Sequence, residues 1–496
     1  MALILALDQG TTGSTALVFD AEREIVGRGY RELTQHFPRP GWVEQDPAEL
    51  WSVTQAVAGE ALDDAGAVPG DVVAVGITNQ RETVCAWDPA TGAPLHRAIV
   101  WQDRRTAAAC DALRAAGHEP LVRERTGLVL DPYFSATKIA WMLEHVDGLA
   151  ERARDGRAVF GTVDAWIAFN LTGEHVTDPS NASRTMLFDI RSGTWDAELC
   201  DLFGVPIRAL PEVRPSIGVL ATTRADALHG HAIPLAGMAG DQQSALYGQA
   251  CLDPGQAKNT YGTGAFVLLN TGDGAGGMPS PEPGVIGTVG WRIGARTTYA
   301  LEASIFMAGA AVQWLRDGLG IIATAAESEG LAASLDGNDG VYLVPAHAGL
   351  GSPHWDPYAR GTIVGLTRGS GRAHLARATL EAIAYQTVDA VQAMEAASGI
   401  PCRQLKADGG ATANGWLMQF QADVLGVPVV LPEVMETTAL GAASLAGVGV
   451  GLWTQDAVVR GWRERRRYEP RMGAGERDAL LADWHRAVEH SRGWAR

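Results

Sequence analysis

The hydrophobic pattern opens on an uninterrupted apolar run. Residues 3–7, Leu-Ile-Leu-Ala-Leu, predict a buried strand, and residues 14–19 predict a second one rich in β-formers. Between them, Asp8-Gln9-Gly10-Thr11-Thr12-Gly13 reads as a tight turn. A carboxylate, two hydroxyls and free backbone N–H groups in one turn suit a phosphate with its magnesium, though an ordinary surface hairpin uses the same residues. Further on, Asp46-Pro47-Ala48-Glu49 carries the N-cap, first-position proline and third-position carboxylate of a helix start, with Trp51, Val53 and Val57 on its apolar face. Residues 72–78 predict a strand that runs into Asn79-Gln80-Arg81-Glu82-Thr83. A charged pair behind a buried strand marks either a site or a solvated salt pair. Helices are predicted over 104–117 and 138–155 and around Trp166, Phe169 and Leu171, with loops over 178–181 and 205–218.

The same motif then recurs. An apolar run over 233–239 closes on Gly240-Asp241-Gln242-Gln243 and a helix over 244–250, and Asp253-Pro254-Gly255 is a boundary signal. Residues 257–270 hold Tyr261-Gly262-Thr263-Gly264 between apolar flanks. Strands are predicted over 297–301 and 341–345, helices over 305–319 and 372–397. A short strand at 405–407 ends in Asp408-Gly409-Gly410-Ala411 ahead of a helix with Leu417, Phe420 and Leu425 on one face, where helix N–H groups favour phosphate. Paired turns of this kind in two halves are what a nucleotide clamped between related domains needs.

Length and charge narrow the reading. At 496 residues, the chain suits two large domains, divided here as 1–250 and 251–496. A net charge of -17 argues against a nucleic-acid or anionic-membrane partner, so the Arg-rich run 463–467 reads as a solvated charge cluster. Lys138, Lys258 and Lys406 are the only lysines, so any role that needs a lysine has three candidates. Five scattered cysteines without CxxC spacing argue against disulfides and structural zinc and fit a reducing cytoplasm. The N-terminus has no secretory pattern, and the apolar tract 437–453 predicts a buried core helix rather than a membrane span. No GxxxxGK[ST], HEXXH, GxSxG or protein-kinase motif set occurs.

Taken together, these stretches resemble the FGGY carbohydrate kinases of the actin/hexokinase/Hsp70-like ATPase superfamily. The resemblance runs through nearly the whole chain. It is carried by residues 7–12, 40–47, 77–83, 131–135, 239–243, 259–264 and 408–411, and by a family signature in 133–145 with Lys138 and Trp141. The Asn-Gln-Arg-Glu-Thr run at 79–83 points to the glycerol-specific branch. The resemblance implies an α/β fold of two ribonuclease H-like domains with a cleft between them. It implies ATP-dependent phosphorylation of glycerol to sn-glycerol 3-phosphate with magnesium, in a cytoplasmic homo-oligomer, dimer or tetramer. A kinase for another polyol or ketose is the alternative.

By the same resemblance, Arg81, Glu82, Tyr133, Asp241 and Gln242 bracket the glycerol hydroxyls, and Trp101 and Phe266 lie against its carbons. Asp241 is the general base, and Asp8 and Asp241 hold the metal. Thr11, Thr12 and Gly13 meet the phosphates from one side and Thr263 and Gly410 from the other, while Gly309, Gln313 and Asn414 line the ribose and adenine pocket. The chain departs from the family at Gly13-Ser14-Thr15, where many relatives read Ser-Ser-Arg. Its segment 226–231 lacks the arginine of the branch inhibited by fructose 1,6-bisphosphate. His229 and His231 lie there without the motif of the branch activated by histidine phosphorylation.

Overall fold

In a computed structural model, which describes residues 2–228, 230–274 and 284–495, one strand order occurs twice. In the first half, Ile25–Glu32, Gly13–Phe19, Leu3–Gln9, Val72–Asn79 and Pro234–Gly240 lie side by side in that order. The first three pair antiparallel and the last two join parallel. In the second half, Arg296–Ile305, Ala265–Asp273, Gln256–Tyr261, Gln404–Asp408 and Val429–Pro432 repeat the order and the pairing directions. The repeat joins into one thirteen-stranded sheet through Ile217–Thr222 and Ile286–Ile293, which share the single partner pair Ile217 and Ile293. His229 lies outside the described residues.

Leu3–Gln9 is apolar without a break because both its faces are covered. Leu3, Leu5 and Leu7 pack with Leu50, Val57 and Ala61 of the helix Pro47–Asp64, whose Asp46 cap accepts from Ala48 N at 2.9 Å. Ile4 and Ala6 pack with Ala442 and Ala446 of Thr437–Gly449, the buried helix predicted from the apolar tract. A second-half helix therefore covers the first-half sheet. It crosses Asp241–Gly248, its counterpart after the other fifth strand, where Ser244 Oγ donates to Thr438 O at 2.7 Å. Among the described residues, no helix is long and apolar enough to cross a membrane, and all five cysteines are free and buried.

Three local expectations change. The helix expected over 138–155 is two, Ser135–His145 and Leu149–Asp155, split at Gly148 with φ +70°. The helix expected over 305–319 starts late, because the strand Arg296–Ile305 runs on and Ala308 N donates to Thr263 O at 2.9 Å; only Gly309–Gln313 and one wider turn coil. Residues 179–182, expected in a loop, form a short helix, Pro179–Ala182, capped by the Asp178 carboxylate. The run 463–467 lies largely on the exposed edge strand Glu464–Tyr468, where its charges blunt further strand pairing. At the chain's departure from its relatives, a Cβ on Gly13 would lie 2.7 Å from the Tyr30 ring and 2.8 Å from Arg31 O, so a serine there would be crowded.

Candidate active site

The strand Val72–Asn79 delivers Arg81 and Glu82 into the interior, not to solvent; both are buried. Thr83 N closes a three-residue turn on Arg81 O at 2.7 Å, and Glu82 at its centre takes φ +62°, a region a glutamate seldom occupies. Such local strain persists only where surrounding contacts hold it. Here they are ionic. Arg184 Nε donates to Glu82 Oε1 at 2.7 Å, and Arg184 Nη2 to Glu302 Oε1 at 2.9 Å. Glu302 in turn pairs with both terminal nitrogens of Arg81, while Arg81 Nε lies 3.1 Å from Asp241 Oδ1.

The charges answer to burial and to one another. Burial raises the Glu302 carboxyl, but Arg184 and Arg81 overcome it and bring it down to about 2. At Glu82, burial wins over Arg81 and Arg184, and its carboxyl sits above the ordinary range. Asp8, near the end of Leu3–Gln9, is pushed up to about 7, first by burial and then by the charge of Asp241. Asp241 opens its helix with its side chain about one-third exposed. Its Oδ1 accepts from Gln242 N at 2.7 Å and is ion-paired with Arg81 Nε, and its Oδ2 accepts nothing among the described residues.

Tyr133 brings its hydroxyl to 3.4 Å from Arg81 Nη2 and its ring edge-on to Trp101, centroids 5.5 Å apart. Trp101 Nε1 donates to Thr11 Oγ1 at 2.9 Å, which ties this wall to the first turn. Phe266 pairs with Ser304 and Leu268 with Glu302, so strand alternation puts half-buried Phe266 on the Glu302 face of the sheet. The arrangement joins Arg81, Glu82, Tyr133 and Asp241, with Trp101 and Gln242 beside them.

The second half carries a cavity of about 370 Å³ lined by Thr263, Gly309, Gln313, Gly410 and Asn414. Its walls combine glycines, alanines and backbone with Leu380, Leu417, Arg316 and Glu329. Thr263 O receives Ala308 N and Ala310 N at 2.9 and 3.0 Å, and Gly309 N reaches Gly262 O at 2.9 Å. A Cβ on Gly309 would lie 2.6 Å from Gly262 O, so only glycine fits. Asn414 does two jobs: its Oδ1 caps the helix Gly415–Leu425 through Leu417 N at 2.9 Å, and its Nδ2 is 3.4 Å from Ser328 Oγ. In the first turn, Thr12 is exposed, and the carbonyl groups of Thr11 and Thr12 accept from Gln45 Nε2 and Leu33 N.

Sequence reasoning missed Arg184 and Glu302. A lone carboxylate inside the apolar run Tyr299–Ile305 was the available signal. Lysine rarity pointed to two further residues without giving their work. Lys258 is buried, its pKa pulled down to about 8 by that burial, and its ammonium donates to Gln242 Oε1 and to Thr260 Oγ1. With its oxygen turned to Lys258, Gln242 has its amide hydrogens left for a ligand. Lys138 donates to Tyr133 O and Phe134 O at 2.6 and 3.1 Å and so pins the turn that carries Tyr133.

Comparison with known proteins sets this geometry among relatives. The family model described as "FGGY family of carbohydrate kinases, N-terminal domain" matches residues 3–248, and its C-terminal-domain counterpart matches 257–450. A glycerol kinase of Dechloromonas aromatica (strain RCB) is 57% identical over 99% of this chain and 98% of its own. One from Deinococcus radiodurans is 54% identical over the same shares. The crystal structure of Plasmodium falciparum glycerol kinase with ADP superposes with a TM-score of 0.94 at 35% identity, over 99% of this chain and 98% of that one. A xylulose kinase from Rhodospirillum rubrum reaches a TM-score of 0.87 at 28% identity, over 98% of each chain.

Proposed function

The chain belongs to the FGGY family of carbohydrate kinases, and from that membership we propose that it transfers the γ-phosphoryl group of ATP to glycerol, giving sn-glycerol 3-phosphate and ADP. The full-length relatives named glycerol kinase support this reading. The observation that carries the mechanism is Asp241, ion-paired with Arg81 and near enough to Asp8 for its charge to raise that carboxyl. Residues 1–250 supply most of the polyol site and the base, and residues 251–496 supply the nucleotide site.

Glycerol is small, neutral and offers three hydroxyls. Glu82 accepts from one of them, Gln242 donates, Arg81 donates by giving up its 3.4 Å contact with the Tyr133 hydroxyl, and Trp101, Tyr133 and Phe266 cover the carbons. A pocket that pairs each hydroxyl penalises ligands that leave a buried polar group unpaired. Asp241 Oδ1 is held by the Gln242 N–H and by its ion pair with Arg81, so Oδ2 is free to take the proton of the terminal hydroxyl as that oxygen attacks the γ-phosphorus in line. Thr11, Thr12 and Gly13 on one side and Thr263 and Gly410 on the other present donors to the phosphates, while Gly309, Gln313 and Asn414 hold the nucleoside.

ATP use in this family brings a divalent cation. Among the described residues no cluster of three or more His, Cys, Asp or Glu is arranged to hold a metal. Asp8, whose ionisation the charge of Asp241 makes costlier, and Asp241 itself suit magnesium, which takes one or two carboxylates and completes its shell with phosphates and water. When bound, that cation neutralises charge on the transferring phosphate. We also infer a cytoplasmic homo-oligomer; free buried cysteines agree with the compartment, and light scattering reads the assembly.

Asp241→Asn tests the base assignment. It should lower kcat by about a thousandfold or more while leaving glycerol affinity within about threefold. A near-normal kcat in that variant would remove Asp241 from the role.

A further inference from the structure

Five charges of alternating sign run through the interior: Glu82, Arg184, Glu302, Arg81 and Asp241. Resting on the polyol-kinase reading, we propose that Arg184 and Glu302 are positioning residues for substrate: they touch no polyol but set its affinity by holding Glu82 and Arg81 in place.

The geometry separates contact from support. Glu82 Oε1 is taken by Arg184, while its other carboxylate oxygen accepts no hydrogen bond among the described residues and is the acceptor left for a hydroxyl. Every nitrogen of the Arg81 guanidinium is engaged: Nε with Asp241, Nη1 with Glu302 and Gln243, Nη2 with Glu302 and Tyr133. Arg184 is wholly enclosed, its guanidinium over the Phe134 ring at 5.2 Å and the Tyr133 ring at 5.7 Å. Neither Arg184 nor Glu302 has a free path to a ligand, yet each bonds a residue that does.

Glu302 is the one member contributed by the second-half sheet. The row therefore spans the repeat, and the first half cannot set its own polyol acceptor without it. Groups facing Glu82 are Arg81, Arg184, Glu302, Tyr133 and Lys138. Of the two arginines, Arg184 is the nearer, since Arg81 Nε lies 3.8 Å from Glu82 Oε1. Without Arg184, Glu82 loses one of its two counter-charges and its hydrogen-bond donor, so Arg81 is left to oppose burial and the balance moves further toward the protonated form.

Steady-state kinetics of the full chain test this, with ADP release read against glycerol and ATP in turn. Arg184→Met should raise glycerol KM about tenfold or more near neutral pH. That KM should fall as pH rises from about 6 to 9, with kcat and the KM for ATP within about threefold. Arg184→Lys keeps the charge and should recover part of the affinity, with a KM that is flat in pH. Glu302→Gln should also raise glycerol KM but leave it flat, because Glu82 then has both arginines to itself. A glycerol KM in Arg184→Met within twofold of wild type overturns the proposal, as does a matching change in kcat and ATP KM. Should that variant fail to fold, Arg184→Lys decides alone, and an unchanged glycerol KM overturns the proposal. If the wild type prefers another polyol or a ketose, the glycerol reading fails and the same variants decide the positioning claim on that substrate.

Discussion

The proposed polyol pocket and the proposed nucleotide cavity occupy the two halves of one repeated strand order, yet they are made of different material. The first is lined by buried charged and polar side chains, each held by a charged one: Arg81 by Glu302, Glu82 by Arg184, Gln242 by Lys258. The second is lined by glycines, backbone and mostly uncharged side chains, with Arg316 and Glu329 the charged exceptions, and with Thr263 and Gly309 clipped by main-chain hydrogen bonds. The difference follows from the ligands. A neutral triol can be told from its analogues only by hydrogen bonds whose loss is costly, and this requires fixed polar groups away from water. A nucleotide brings its own charge and a large flat base, so N–H groups and open space suffice.

That contrast can be broken by variants that hit one pocket and should spare the other. Glu82→Gln removes the charged acceptor and leaves Arg184 short of a partner. Glycerol KM should rise by about fiftyfold with ATP KM unchanged, and equal effects on both substrates would erase the distinction. Gly309→Ala puts a methyl against Gly262 O. It should raise ATP KM by about tenfold and leave glycerol KM alone; an effect on glycerol would show that the two sites are not separately built.

The smallest expected effect sharpens the account of the ion row. The Glu302 carboxyl sits at about 2 against an ordinary 4.5. Its depressed value means that its contribution to stability is full above about 4.5 and is lost as pH falls through about 2. Between pH 5 and 4, that share declines by roughly 0.7 kcal/mol. The stability gap between wild type and Glu302→Gln, read from urea midpoints, should narrow by this amount over the interval. A gap that stays constant or widens would mean that Glu302 is not held charged by the two arginines.

Part of this site was legible in the sequence because part of it is local. The strand Leu3–Gln9, the turn after it and Asp241 behind its strand each announce themselves within ten residues. The run Asn79–Thr83 was readable only as a site or a solvated pair, because what decides its burial lies elsewhere. Arg184 is 102 residues from Glu82, and Glu302 is 221 from Arg81. Neutralising partners at that separation leave no pattern in the neighbourhood of the pair. The repeated strand order was hidden for a similar reason: its two copies share pairing directions, not residues. The late start of the expected 305–319 helix depends on Thr263 O, which apolar spacing along one segment cannot register.

The most direct measurement of the central claim is coupled ADP release from the wild-type protein over a panel of glycerol, erythritol and xylulose, with and without magnesium. The account predicts magnesium-dependent turnover with kcat/KM for glycerol well above that for the others. Preference for erythritol or xylulose, or ATP hydrolysis indifferent to any polyol, would contradict it.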